Sequence, residues 1–148
     1  MTNAYKGEMD VTLCHKIYPM CINMGVIAAF QTETGADFMA CAIKAINAFH
    51  KSRELGNPLD QAEMMTTAVR MDHAAWLFFL AAKEKDSQVT FEEIQEHVLL
   101  EGPIEKLIED HEEGEDGKTK FTRSYPVLFT DLVIFATLGA VDVVKKKK

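Results

Sequence analysis

YPMCINMGVIAAFQTETGADFM, residues 18–39, decides how the rest of the chain is read. Pro19 interrupts an apolar, β-branched run from Val11 to Ile22. A proline has no N–H for a sheet ladder, so this run suits an edge strand or an irregular extended segment. Asn23 can cap the helix that follows by accepting a backbone N–H. On that helix Met24, Ile27, Ala28 and Gln31 share a face, with Phe30 beside it. Gly35 is placed to end the helix, because it takes the left-handed conformation without steric cost. Asp37 then caps a second helix.

Outward from this stretch the pattern stays helical. Phe38, Cys41, Ala42, Ala45 and Phe49 recur at three- and four-residue steps, with Ile46 widening the stripe. The helix should end near Leu55-Gly56. Asn57-Pro58 restarts one, with asparagine at the cap and proline at the first helical position. Residues 59–85 read as one helix or two, broken near Met71-Asp72, with Asp72 as a candidate cap. Trp76 to Leu80 is apolar nearly all round and belongs at the centre of the core. Thr90 and Glu93 form a capping box, and Val89 and Ile94 sit at the positions of a hydrophobic staple. That helix, Phe91 to Leu100, should stop at Gly102. Pro103 is read as opening another, IEKLIEDHEE, followed by a loop from Gly114 to Lys120 and a last helix from Pro126 to Gly139 or beyond. The expected fold is all-α, a compact bundle of about six helices that allows one short N-terminal extended segment or hairpin. It forms one domain over residues 1–148, with flexible ends at 1–10 and 140–148.

Composition narrows the function. The net charge of −7 argues against nucleic acid, whose phosphates need a basic face. The charge is uneven: thirteen acids lie between Glu84 and Asp116, against Lys85 and Lys106. Three cysteines, Cys14, Cys21 and Cys41, do not make a disulfide framework or a zinc spacing, and they suit a reducing compartment. The apolar run from Val127 to Val144 is the one membrane suspect. Asp131 and Asp142 inside it favour a buried or partner-covered helix over a membrane anchor. Ser52, Ser87 and Ser124 lack a nucleophile-elbow context, and GEDGKTK does not match phosphate-loop spacing. No enzyme and no cofactor are expected.

Eight methionines are the more informative feature. Methionine fills core gaps, but it is also over-used on surfaces that accept several helical partners. Met64 and Met65 are adjacent, hence on different helix faces, and at least one should be partly exposed. They are the candidate partner-binding residues, with Glu109, Asp110, Glu112 and Glu113 as a candidate acidic docking surface. That acidic run is otherwise a solvated helix end and loop.

The pattern Asn23, Phe30, Thr34, Gly35, then Ala36, Asp37 and Phe38, resembles the N-terminal signature of tail assembly chaperones from lambda-like long-tailed bacteriophages. DHAAWLFFLAAKEK and VTFEEIQEHV resemble the helical block and the threonine-capped helix that follow in that family. The resemblance spans roughly Tyr18 to Val98, and Gln31 stands where the family often has glutamate. It implies an all-helical, non-catalytic chaperone that binds the tape measure protein and keeps it soluble. It further implies self-association, recruitment of the tail tube protein through a frameshift-extended form, a place in the host cytoplasm and absence from the mature virion. The chain ends in Lys145, Lys146, Lys147 and Lys148, and lysine codons are A-rich, so this run could mark a frameshift junction. It could equally be a solubilising tail. The competing reading is a helical adaptor or regulatory domain of phage or bacterial origin with no tail role.

Overall fold

A computed structural model describes residues 8–102, 106–108, 120–122 and 124–146. The described chain opens with two strands, β1 (Glu8–Leu13) and β2 (Lys16–Cys21). They pair antiparallel with Leu13 opposite Lys16 and Val11 opposite Tyr18. Only Cys14 and His15 lie between the closing pair, and both have positive φ, 51° and 67°. Positive φ at both central residues is the mirror-image turn whose twist matches a hairpin, here built without its usual asparagine or glycine. Val11, Leu13, Tyr18 and Met20 face inward and are buried, while Asp10, Thr12, Ile17 and Pro19 face out. Counting from the closing pair, Pro19 falls opposite Asp10 at a non-hydrogen-bonded position. Its missing N–H would have pointed away from β1, so the proline blunts the free edge and leaves the ladder intact.

Five helices follow before the second sheet and one after it: α1 (Met24–Thr34), α2 (Phe38–Ser52), α3 (Pro58–Ala68), α4 (Met71–Lys83), α5 (Phe91–Glu101) and α6 (Tyr125–Lys146). Three of the caps are those the sequence announces. Asn23 accepts from Val26 N–H, Asp37 from Ala40 N–H and Thr90 from Glu93 N–H. Gly35 ends α1 at φ 70°, in the left-handed region, and its N–H returns to the Gln31 carbonyl. Gln31 also reaches forward: its Oε1 accepts from Phe38 N–H at 3.0 Å. That bond ties α1 to the first turn of α2.

The sequence left open which face of α1 turns inward: its buried residues are Val26 and Phe30, while Met24 is 77% exposed and Ala28 and Gln31 are also exposed. Phe30 meets Phe38 and His73 edge-on, so packing against α2 and α4 selects the Val26–Phe30 side. Residues 59–85 form two helices, with the break at Val69-Arg70, just before Met71-Asp72, and both residues extended. Val69 is buried, and a β-branched residue drawn into the core sits well in extended backbone. Asp72 is no cap; its carboxylate pairs with Arg70 at 2.9 Å. Finally, Lys106–Ile108 is strand β3, antiparallel to β4 (Lys120–Thr122) with Leu107 opposite Phe121, where a helix and a loop were expected. The helical spacing of Ile104, Leu107 and Ile108 is equally a run of strand formers, and cross-strand pairing overrides so short a helix signal. Tyr125 N–H donates to the Gly102 carbonyl at 3.0 Å, so the chain on either side of this excursion meets at one point.

The molecule is therefore mostly helical, six helices with an N-terminal hairpin and a second short two-stranded sheet among the described residues. α4 lies at its centre, packed against α1, α5, α6 and β2. A smaller apolar cluster of Ala48, Met65 and Val127 joins α2, α3 and α6. Among the described residues no helix is long and apolar enough to cross a membrane.

The packing predicts opposite outcomes for two neighbouring residues. Phe30→Ala should cost about 3–5 kcal/mol in urea unfolding. Met24→Ala should stay within about 0.5 kcal/mol. The reverse order would place Met24, and not Phe30, in the core.

Candidate interaction surface

Sequence reasoning pointed to α3. Its two methionines divide as adjacent helical residues must. Met65 is 3% exposed, locked between Ala48 and Val127, and Met64 is half-buried against the same cluster. Met65 thus offers no outer surface, yet it forms the floor of a pocket between α2, α3 and the start of α6. Arg53 stands at that pocket with its guanidinium 4.7 Å from the Phe49 ring centre. Ser52 is buried beside it and donates its hydroxyl proton to the Phe49 carbonyl at 2.8 Å. Glu109, Asp110, Glu112 and Glu113 lie outside the described residues. Lys145 and Lys146 close α6, and Lys147 and Lys148 lie outside the described residues.

More of the surface is apolar than the methionine count suggested. Leu59 is 65% exposed, and Met39, Ile43, Leu99 and Leu100 are each at least half exposed. Met39 and Ile43 are four residues apart on α2 and so share a face. Leu99-Leu100, two large apolar residues in the last turn of an otherwise acidic helix, was the signal available in the sequence.

Sequence reasoning missed a polar cluster where the hairpin meets α5. Tyr18 donates its hydroxyl proton to Glu93, and Lys16 Nζ reaches the same oxygen at 2.8 Å. The phenol has one proton, so toward His97 Nδ1, 2.9 Å away, its oxygen accepts. Cys14 N–H donates to Glu101 at 2.7 Å and its thiol to the His97 carbonyl at 3.4 Å. The hairpin tip is thus held by α5 through both backbone and side chains. Burial, followed by the neighbouring Glu93 carboxylate, pushes the Tyr18 hydroxyl well above its ordinary value. The hydrogen bonds from Lys16 and Tyr18 hold the Glu93 carboxyl below its ordinary 4.5. Burial and then Glu101 raise the Cys14 thiol, the opposite of what a nucleophilic cysteine needs.

Among the described residues one thiol lies beside an imidazole ring. Cys41 Sγ lies 3.9 Å from His73 Nδ1. Burial, and then Asp37, raise the thiol, while burial lowers the imidazole, which disfavours a thiolate–imidazolium pair. Among the described residues no group of three or more His, Cys, Asp or Glu could hold a metal ion.

The Glu93 cluster has a signed pH dependence. A carboxyl held low when folded contributes stability above its unfolded value and loses it as pH falls through the folded value. Wild-type stability should therefore drop below about pH 4.5 more steeply than that of Glu93→Gln, read as urea midpoints at pH 7 and at acid pH. Tyr18→Phe should cost about 1 kcal/mol at pH 7 and shrink that difference.

No protein-family model matches the chain, and no curated protein or solved structure matches it at a significant level.

Proposed function

We propose that the chain is a tail assembly chaperone of a long-tailed bacteriophage, non-catalytic and acting in the host cytoplasm. Its client in this reading is the tape measure protein, a long chain prone to aggregate until the tail tube surrounds it. The reading is carried by the Asn23–Phe30–Thr34–Gly35 pattern. Within α1 these residues act as one unit. Asn23 caps the start, Phe30 anchors the core, and the Thr34 hydroxyl donates to the Phe30 carbonyl at 2.7 Å. Gly35 ends the helix, and Ala36 N–H turns back onto the Thr34 oxygen at 3.2 Å. A resemblance resting on residues with such distinct tasks has more weight than one resting on spacing alone.

The exposed apolar residues support a client surface. Met24, Met39, Ile43, Leu59, Leu99 and Leu100 stand out from four helices, α1, α2, α3 and α5. Apolar side chains spread over several faces suit weak contacts repeated along a long helical client better than one deep interface. Many copies bound to one client would multiply such contacts, which accords with self-association. A longer form made by frameshifting at Lys145 to Lys148 would add the tail tube contact, and neither form would remain in the virion.

Co-expression with a candidate tape measure protein from the same genome tests the proposal. The client should move from the insoluble to the soluble fraction and co-purify with the chain, and Leu99→Glu with Leu100→Glu should reduce its recovery several-fold. A client that stays insoluble, or is soluble but fails to co-purify, would contradict it.

A further inference from the structure

The pocket over Met65 has a chemistry that exposed apolar residues alone do not supply. About 40 Å³ of it admits the centre of a water-sized sphere, room for about three waters. Its inner wall is apolar: Met65, Ala62 and Val127. Among the described residues its one charged lining residue is Arg53, in a chain whose net charge is −7. The guanidinium spends one face on the Phe49 ring, 4.7 Å away. That contact leaves the guanidinium N–H groups, the part that binds a carboxylate in a fork. No described carboxylate pairs with Arg53. Of the neutral donors beside it, Ser52 gives its proton to the Phe49 carbonyl, and Gln61 Nε2 spends one of its two N–H groups on the Leu55 carbonyl at 2.6 Å.

We propose that this pocket receives a glutamate side chain from a partner protein. Its carboxylate lies on the Arg53 edge and its methylenes lie against Met65, Ala62 and Val127. The volume suits a carboxylate with two methylenes, and the apolar wall would be wasted on a bare anion. Leu59, 65% exposed in the same first turn of α3, lies off the lining face and offers a partner chain a second apolar contact that a free acid would leave unused, which favours a protein partner. The inference stands apart from the tail-assembly reading, since it specifies the partner's chemistry and not its identity.

The test uses the full chain with 13C-methyl methionine and reads the Met65 methyl resonance. The probes are an alanine-rich helical peptide with one Leu-Glu pair, the same peptide with Gln for Glu, and propionate. The Glu peptide should shift Met65 saturably, and the Gln peptide should not. Arg53→Gln should weaken the Glu peptide roughly ten- to a hundredfold. Because Arg53 is exposed, that variant should keep its unfolding midpoint. Several results would overturn the proposal: no Met65 shift with the Glu peptide at millimolar concentration, equal binding of the Gln peptide, or unchanged affinity in Arg53→Gln. Saturation by propionate as tight as by the peptide would assign the pocket to a free acid. A Met65 shift caused by replacing Glu109, Asp110, Glu112 and Glu113 with glutamine, with no peptide present, would assign it to the chain's own acidic run.

Discussion

α4 has no polar face along its middle, and the fold is arranged around that constraint. From His73 to Ala82 every residue is buried or half-buried, with Leu77 and Phe78 wholly enclosed. A helix satisfies its own backbone hydrogen bonds, so it can be enclosed on every side without stranding a polar group. Each large side chain removed from water contributes about 1.5–3 kcal/mol. No single helix can cover a cylinder, so α1, α5, α6 and strand β2 are all needed. The hairpin has a structural purpose in this arrangement. Its inner face, with Tyr18 and Met20, closes the side that the helices leave open.

A two-stranded hairpin is a weak element by itself, and it is fastened by polar contacts to α5. Glu93 does two things there. Its backbone N–H takes the Thr90 cap, and its carboxylate accepts from Tyr18 and Lys16. In a full capping box that carboxylate would turn back to the start of its own helix. Here it holds a different element in place, so helix initiation and hairpin docking share one residue. The Cys14-His15 turn is secured at the same helix through Glu101, which offsets the cost of two side chains at positive φ.

Local chemistry was legible in the sequence, and choices made between elements were not. Asn23, Asp37, Asn57-Pro58 and Thr90 each satisfy a nearby backbone group, so their roles were readable from a few residues. The burial of α4 followed from composition alone. The face of α1 did not, because Met24–Ile27–Ala28 and Val26–Phe30 are both credible apolar stripes and only Phe38 and His73 decide between them. Lys106–Ile108 was misread because its partner strand lies beyond an acidic stretch that gave no hint of pairing. The mirror-image turn escaped notice because cysteine and histidine are not its usual residues. The pocket was half visible: the methionine pair marked α3, but Arg53 gained meaning only when Phe49 was seen beneath it.

Native-state hydrogen exchange tests the central place of α4 most directly. The amides of Leu77, Phe78 and Ala81 should be the slowest of the described helices and should exchange only through global unfolding, with the same dependence on denaturant as the unfolding transition itself. The amides of α3 and of the hairpin should open earlier, at lower free energy. Exchange of the α4 amides ahead of those of α2 or α3, or with little denaturant dependence, would contradict a fold built around an enclosed α4.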